Sequence, residues 1–325
     1  MPAPTIPHYL HRFSLPTPFP VGPVNVYLAE GEHLTLIDTG PRYQPAREAL
    51  QAGLNDVGYG VADLERILLT HAHADHCGRA AELAAGSGAE VWTHSANVHR
   101  LGHDGDTRRL AFYAQVMHWA GVPAPVMMKL ARTERGYHQY SEPLTPDHAV
   151  SDEDLLELGG EMWRVLHTPG HTGGLICLYQ PERGLLISSD HLLQDVSSNP
   201  IVDPPPRGGS ELPRRLVEYM TQLRRVADLA VTLALPGHGP AITDHRALIQ
   251  KRLLFHEERA RCILDTLDDE TFTAYEIAGI LFPDLDPVNT FLAISEVIGH
   301  LQWMEKEGRV RHIERLGVAR WARDG

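Results

Sequence analysis

Apolar and polar residues along the chain change rhythm three times. VNVYLA (24–29) and HLTLID (33–38) are short apolar, β-branched runs separated by a polar turn, and they read as a hairpin. A turn into a helix follows Asp38. ERILLT (65–70) and AEVWTH (89–94) read as buried strands, with a helix between them over 76–86 that ends at glycine. Strand, helix and strand in this order indicate a layered α/β arrangement. Between about 102 and 150 the strand pattern lapses. Two stretches with helical spacing, split at Val122-Pro123, read as an inserted helical pair.

Strands then resume at 163–168, 174–179 and 184–190, followed by an irregular Pro-rich loop (199–209) and an amphipathic helix over 211–229. A buried strand over 229–236 closes this region. From about 246 the rhythm is helical: one long helix (246–267), two more (274–282 and 288–308), and a two-stranded hairpin of 309–315 with 318–324. Helices followed by a hairpin suggest a small winged-helix-like unit. The expected division is therefore 1–245, with 102–150 inserted, and 246–325.

Composition narrows this picture. At 325 residues with 43% hydrophobic and 22% charged side chains, the chain is globular in type. The formal net charge is −13, which disfavours general affinity for phosphate backbones or anionic lipid. Cys77, Cys177 and Cys262 are far apart and odd in number, which fits a reducing compartment rather than a disulfide framework. The start of the chain lacks a basic segment followed by an apolar one, and no apolar run is long enough to span a bilayer. A cytoplasmic location is the expectation. Twenty histidines direct attention to metal ligands.

The sequence THAHADH (70–76) leaves a strand and opens a helix. In extended backbone His71 and His73 point the same way, and the following turn can bring Asp75 and His76 alongside. Three later pieces have the same form of strand, tight turn and ligand: His171 in HTPGHTGG, Asp190 in SSD and His238 in LPGHGP. Strand ends converge at one rim of a sheet. Together they supply five histidines and two aspartates, enough for two ions. Imidazole suits zinc and its neighbours, and carboxylate suits harder ions as well.

At these residues the chain resembles the metallo-β-lactamase superfamily, and in particular its glyoxalase II-like hydrolases with a two-metal site free of cysteine ligands. HxHxDH, PGHT, the lone aspartate and GHG match in order, and VNVYLA and LIDTG near the start match as well, over roughly residues 8–245. The resemblance implies a four-layer αβ/βα sandwich with metals at one edge between its sheets. It implies that His71, His73 and His171 hold one ion, that Asp75, His76 and His238 hold the second, and that Asp190 bridges them. The expected cofactors are two divalent ions, zinc first and iron or manganese as alternatives. The expected activity is a metal-dependent hydrolase using a metal-bridging hydroxide on a small-molecule ester, thioester or lactone, with Asp75 as a proton shuttle. The alternatives are a nuclease or phosphodiesterase on the same site, and a non-enzymatic ligand-sensing regulator with a winged-helix domain.

Other residues receive narrower expectations. Asp38 is expected to orient a ligand imidazole. His191 is a weak candidate for substrate contact. Cys77 reads as a small buried side chain, His167 as a structural hydrogen-bonding residue, and His94, His99, His103 and His118 as surface or loop positions. Arg214, Arg215, Arg224 and Arg225 read as a solvated helix face, and His256 and Arg259 as packing. Phe112, Met117, Trp119, Met127 and Met128 suggest a helical cap over an apolar channel. The hairpin carries Arg309, Arg311, Arg315, Arg320 and Arg323, yet residues 251–325 hold ten Lys/Arg against fourteen Asp/Glu. A packing or dimerising module is therefore expected there, with a homodimer as the partner reading and nucleic acid disfavoured.

Overall fold

The computed structural model describes residues 5–103, 105–205, 209, 211–267, 270–283 and 285–324, without the side chains of residues 106, 287 and 288. The first sheet runs in the order β1 (Leu10–Leu15), β2 (Val24–Ala29), β3 (Thr35–Ile37), β4 (Arg66–Leu69), β5 (Glu90–His94), β6 (His148–Val150). Its first three strands pair antiparallel, and β3 to β6 pair parallel. Helices α1 (Gln44–Asp56), α2 (Ala74–Cys77), α3 (Ala80–Ser87) and α4 (Ser95–Leu101) lie along its connections. The expected helix over 76–86 is thus two, interrupted at Gly78, where an added Cβ would collide with the carbonyls of Tyr140 and Ala74.

Next come α5 (Gly105–Trp119) and α6 (Ala124–Tyr137), the anticipated helical pair. The second sheet is built from β7 (Leu155–Leu158), β8 (Glu161–His167), β9 (Ile176–Gln180), β10 (Leu185–Ser189) and β11 (Leu233–Pro236), with α7 (Arg215–Ala227) before β11. Helices α8 (His245–Thr266), α9 (Ala274–Leu281) and α10 (Pro287–Lys306) and the hairpin β12 (Val310–Arg315), β13 (Val318–Arg323) complete the chain.

Strand alternation produces the layers. In β2, Val24, Val26 and Leu28 join an apolar cluster with α1 and α3, while Tyr27 and Ala29 face the second sheet. In β9, Ile176 and Leu178 face the first sheet, while Cys177 and Tyr179 pack toward the outer helices. Side chains with a period of two therefore fill three interfaces: helix on sheet, sheet on sheet, and sheet on helix. This is the four-layer αβ/βα sandwich. The third interface is the largest. It merges α5, α6 and α7 with the C-terminal helices and with Trp321 of β13 into one cluster.

Several strands escaped the sequence reading. β1 lies in a Pro-rich segment, and β6 and β7 have three and four residues, too short for periodicity to register. β6 also belongs to the first sheet, so the helical insertion gives way to sheet before residue 150. The strand expected over 229–236 is confined to Leu233–Pro236, and the helix expected from 211 starts at Arg215, beyond Pro213. Within the Pro-rich loop expected at 199–209, residues 206–208 lie outside the described residues.

Candidate metal centre

Four strand ends meet at one edge between the two sheets. β4 delivers His71, and the turn after β8 delivers His171. β10 ends at Asp190, and β11 leads to His238. Cross-sheet hydrogen bonds pin these turns. Ile176 N donates to Thr70 O at 3.0 Å, and Asn25 N donates to Gly237 O at 2.7 Å. Tyr27 Oη donates to Pro236 O at 2.7 Å. Gly237 is required sterically, because an added Cβ would collide with Asp190 Oδ1. At Gly170 the backbone sits at φ 146°, and a Cβ would stand 2.5 Å from Tyr219 Cα.

The convergent atoms form two outer groups, linked by a third made of His71, His76 and Asp190. His71 Nε2 and His171 Nε2 each lie 3.0 Å from His73 Nδ1. In the second group, His238 Nε2 lies 3.4 Å from Asp75 Oδ2, and one ligand atom each of Asp75, His76 and His238 lies within 4.8 Å of the others. Asp190 stands between the groups. Its Oδ1 is 3.4 Å from His76 Nε2, and its Oδ2 is 3.6 Å from His171 Nε2 and 3.7 Å from His238 Nε2. All seven sequence-expected residues are therefore gathered at one point.

The outer ring nitrogens are held by partners. His76 Nδ1 lies 2.8 Å from Asp38 Oδ2, His238 Nδ1 2.8 Å from Pro23 O, and His171 Nδ1 2.9 Å from Asn199 O. With Nδ1–H donating, each ring turns Nε2 toward the centre, and that atom offers a lone pair when it carries no proton. Asp38 also accepts from Thr70 N at 2.8 Å and from Thr70 Oγ1. It is held at φ 60°, a conformation that aspartate tolerates.

The two groups differ electrically. Burial, with His76 and His73 nearby, holds His71 well below the usual histidine range against the pull of Asp190. Burial, with His171 and Arg100, does the same for His73, and burial also lowers His171. These three rings are neutral bases. On the other side burial opposes charge but loses. Asp190, Asp38 and Asp75 raise His76 well above its ordinary value, and Asp190 and Asp75 raise His238. Asp75 is drawn down to about 2 by His76 and His238 despite its burial, and Asp190 is held well below the carboxylate range in the same way. His76 Nε2, His238 Nε2 and Asp190 Oδ1 are buried without a hydrogen-bond partner. Buried ring nitrogens and a carboxylate oxygen without hydrogen-bond partners, backed by carboxylates, are a donor set that a divalent cation satisfies in place of the protons these rings attract without it.

The centre forms the floor of a cavity of about 500 Å³ that reaches His73, Asp75, His171 and Asp190. Its roof includes Arg109 and Tyr113 of α5, one turn apart, and Leu130, Thr133, Glu134 and Tyr137 of α6, at spacings of three, one and three. The insertion does cover the site, but not with the residues expected. Phe112, Met117, Trp119 and Met127 pack into the outer core, and Met128 is exposed. The C-terminal helices take up the apolar stripe, so the opposite face of each helix meets the cavity. Phe291 and Leu292 of α10 also line it, a contribution that nothing in the sequence pattern signalled.

Other expectations fall away from the centre. His191 is fully buried, its ring edge on Tyr219, and is absent from the cavity lining. Burial pushes it down to about 3. Cys77 borders the cavity as a buried thiol, raised to about 12 by burial. His167 Nε2 donates to Gly173 O at 2.9 Å, and the ring stacks on His94 at 3.8 Å. His94 caps α4, His118 meets Leu316 O, and His103 is exposed. His99 borders a neighbouring cavity. Arg215 is buried against Asp203 and Glu218 rather than solvated and Arg225 is partly buried, whereas Arg214 and Arg224 are exposed as expected. His256 packs on His300, and Arg259 pairs with Glu296 at 2.9 Å.

A sequence model described as the metallo-beta-lactamase superfamily matches residues 19–238. The chain belongs to this superfamily. Among metallo-beta-lactamase relatives, the probable metallo-hydrolase YqjP of Bacillus subtilis is 36% identical over 299 residues, covering 90% of this chain and 91% of that protein. A beta-lactamase-like protein 2 homolog of Drosophila melanogaster is 27% identical, over 88% of this chain and 84% of its own. The crystal structure of the family protein TTHA1429 from Thermus thermophilus superposes with a TM-score of 0.84 at 28% identity, covering 98% of this chain and all of that one. Membership supports a metal-dependent hydrolase that binds divalent metal, and these His/Asp groups are its candidate ligands. Among the described residues no helix is long and apolar enough to cross a membrane.

Proposed function

We propose that this protein is a dinuclear metal-dependent hydrolase of small-molecule esters, thioesters or lactones. The observation that carries this reading is the placement of two ligand groups, joined through Asp190, on the floor of a cavity roofed by Tyr113, Leu130, Tyr137, Phe291 and Leu292. His71, His73 and His171 would hold one ion and Asp75, His76 and His238 the other, with Asp190 between them. Zinc suits this nitrogen and carboxylate set. Bound ions would supply a water nucleophile of lowered pKa and an electrophile for the scissile carbonyl. The rest belongs to the chain. Asp38, Pro23 O and Asn199 O orient the rings. The apolar part of the roof receives the acyl portion, Arg109 and Glu134 make the rest of it polar, and Asp75, which borders the cavity, moves the proton to the leaving group. The C-terminal helices and hairpin form a winged-helix-like packing module. Its arginines are engaged locally, Arg309 with Glu307 and Arg311 with Asp324.

The test is elemental analysis of protein never exposed to chelator, followed by hydrolysis of thioesters, aryl esters and lactones. About two ions per chain and chelator-sensitive acyl hydrolysis are expected. Efficient cleavage of single-stranded RNA with every acyl substrate inert would favour the phosphodiesterase reading instead.

A further inference from the structure

The segment 191–201 leaves β10 immediately after Asp190 and passes the metal centre on its way to α7. It is irregular, and its anchors lie on the C-terminal helices. Arg252 of α8, 7% exposed, donates from Nη2 to Leu193 O at 3.1 Å and to Gln194 O at 3.0 Å. Asn199 Nδ2 donates to Leu292 O of α10 at 3.0 Å. The carbonyl of Asn199 faces the centre, 2.9 Å from His171 Nδ1, and Ile201 N donates to His171 O at 3.3 Å. One residue thus ties helix α10 to a ligand ring, through its side chain on one side and its carbonyl on the other.

The ring depends on that carbonyl. A donating Nδ1–H leaves the lone pair on Nε2, the atom 3.0 Å from His73 Nδ1. His171 stands in a Gly/Pro turn rather than on a strand, so its own backbone fixes the ring only weakly. We propose that the C-terminal helices position the metal centre, with Arg252 and Asn199 as positioning residues that hold segment 191–201 so that the Asn199 carbonyl sets the tautomer and orientation of His171. This rests on the reading of His71, His73 and His171 as ligands of one ion.

The experiment uses the full chain. Arg252→Met keeps the aliphatic stem and removes the donors. Asn199→Ala keeps the backbone carbonyl and removes the tie to α10. Ile277→Val, in the buried face of α9, is the control for loosened packing alone. Cobalt(II) titration followed by absorption should show one of two ions bound about 10–100-fold more weakly in the first two variants. The other ion should keep its wild-type affinity, and the control should change neither at a matched loss of Tm. In metal-free protein, 15N NMR of His171 should show an Nδ1–H ring in the wild type and a mixture of tautomers in the two variants. Wild-type cobalt affinities and an unchanged His171 tautomer in both variants would overturn the proposal. So would equal weakening of both ions in step with Tm. Failure of the wild type to bind cobalt would remove the ligand reading, and the tautomer comparison would still decide the positioning.

Discussion

The two sides of the metal centre are held in different ways. On the side of the first sheet, His71, His73, Asp75 and His76 come from one six-residue stretch, and the groups orienting them are side chains, charged or hydroxylic. Asp38 grips His76 and Thr70, and Thr70 Oγ1 lies 3.1 Å from His71 Nδ1. On the side of the second sheet, His171, Asp190 and His238 come from three separate turns, and their orienting acceptors are the backbone carbonyls of Asn199 and Pro23. A carboxylate partner is written into the sequence. A carbonyl partner is available from any residue and depends on where the chain is placed. The orientation of the first side is therefore carried by side-chain identity, and that of the second is assembled by packing that extends into α8 and α10.

The sharpest way to break this comparison is at Asp190, which touches both sides. Asp190→Asn keeps the shape but removes negative charge between two dications. Loss of at least one ion and a fall in hydrolysis of orders of magnitude are expected, with an unchanged circular dichroism spectrum. Two ions retained would show that another residue joins the groups.

Asp38→Ala attacks the first side alone. It removes the acceptor of His76 Nδ1 and of Thr70, and metal affinity should fall about 10–100-fold. Elemental analysis after dialysis against graded chelator measures this. An affinity equal to wild type would mean that the first side is no more dependent on its carboxylate than the other side is on its carbonyls.

The packing that supports the second side should weaken in acid. Burial, with His300, Arg252 and Arg259 nearby, pushes His256 down to about 3, and burial pushes His300 down to about 4. In the unfolded chain both return to about 6.5. Between these values the unfolded chain binds protons that the folded chain refuses. Their contribution to stability is therefore complete above about pH 6.5 and is lost progressively as pH falls toward 4 and 3. Tm measured from pH 7 to 4 should decline, and His256→Leu should flatten the decline. An unchanged slope would remove these rings from the account.

The smallest effect on the centre is expected one residue from its bridge. His191 is fully buried and neither ring nitrogen has a hydrogen-bond partner. His191→Asn should leave the metal count unchanged and lower Tm, costing roughly 1–3 kcal/mol for the space left behind. Loss of metal would give His191 a role that its position in the structure does not suggest.

The contrast between the two sides also explains what could be read in advance. HxHxDH and the three turns carrying His171, Asp190 and His238 stand out because ligand-type residues follow apolar runs, and the continuous apolar runs of β2, β4 and β9 announce strands buried on both faces. The roof of the cavity was legible only in outline. Helical spacing identified α5 and α6, but an apolar stripe marks the face that meets a core, and here that core is shared with α7 to α10. The cavity therefore received Arg109, Tyr113 and Glu134 rather than the methionines. Strands β6 and β7 left no signal because three or four residues hold too few alternations.

By itself the sequence determined the family, the layered α/β architecture and the seven residues that meet at the sheet edge. These depend on local patterns: residue type, spacing, and the turn that ends a strand. Tertiary structure decided which helix faces cover the centre, that His191 turns away from it, and that α8 and α10 reach segment 191–201 through Arg252 and Asn199. Those outcomes depend on contacts between segments from about thirty to more than ninety residues apart, made partly by backbone carbonyls. A carbonyl carries no side-chain identity, so only the folded chain shows which one a histidine meets.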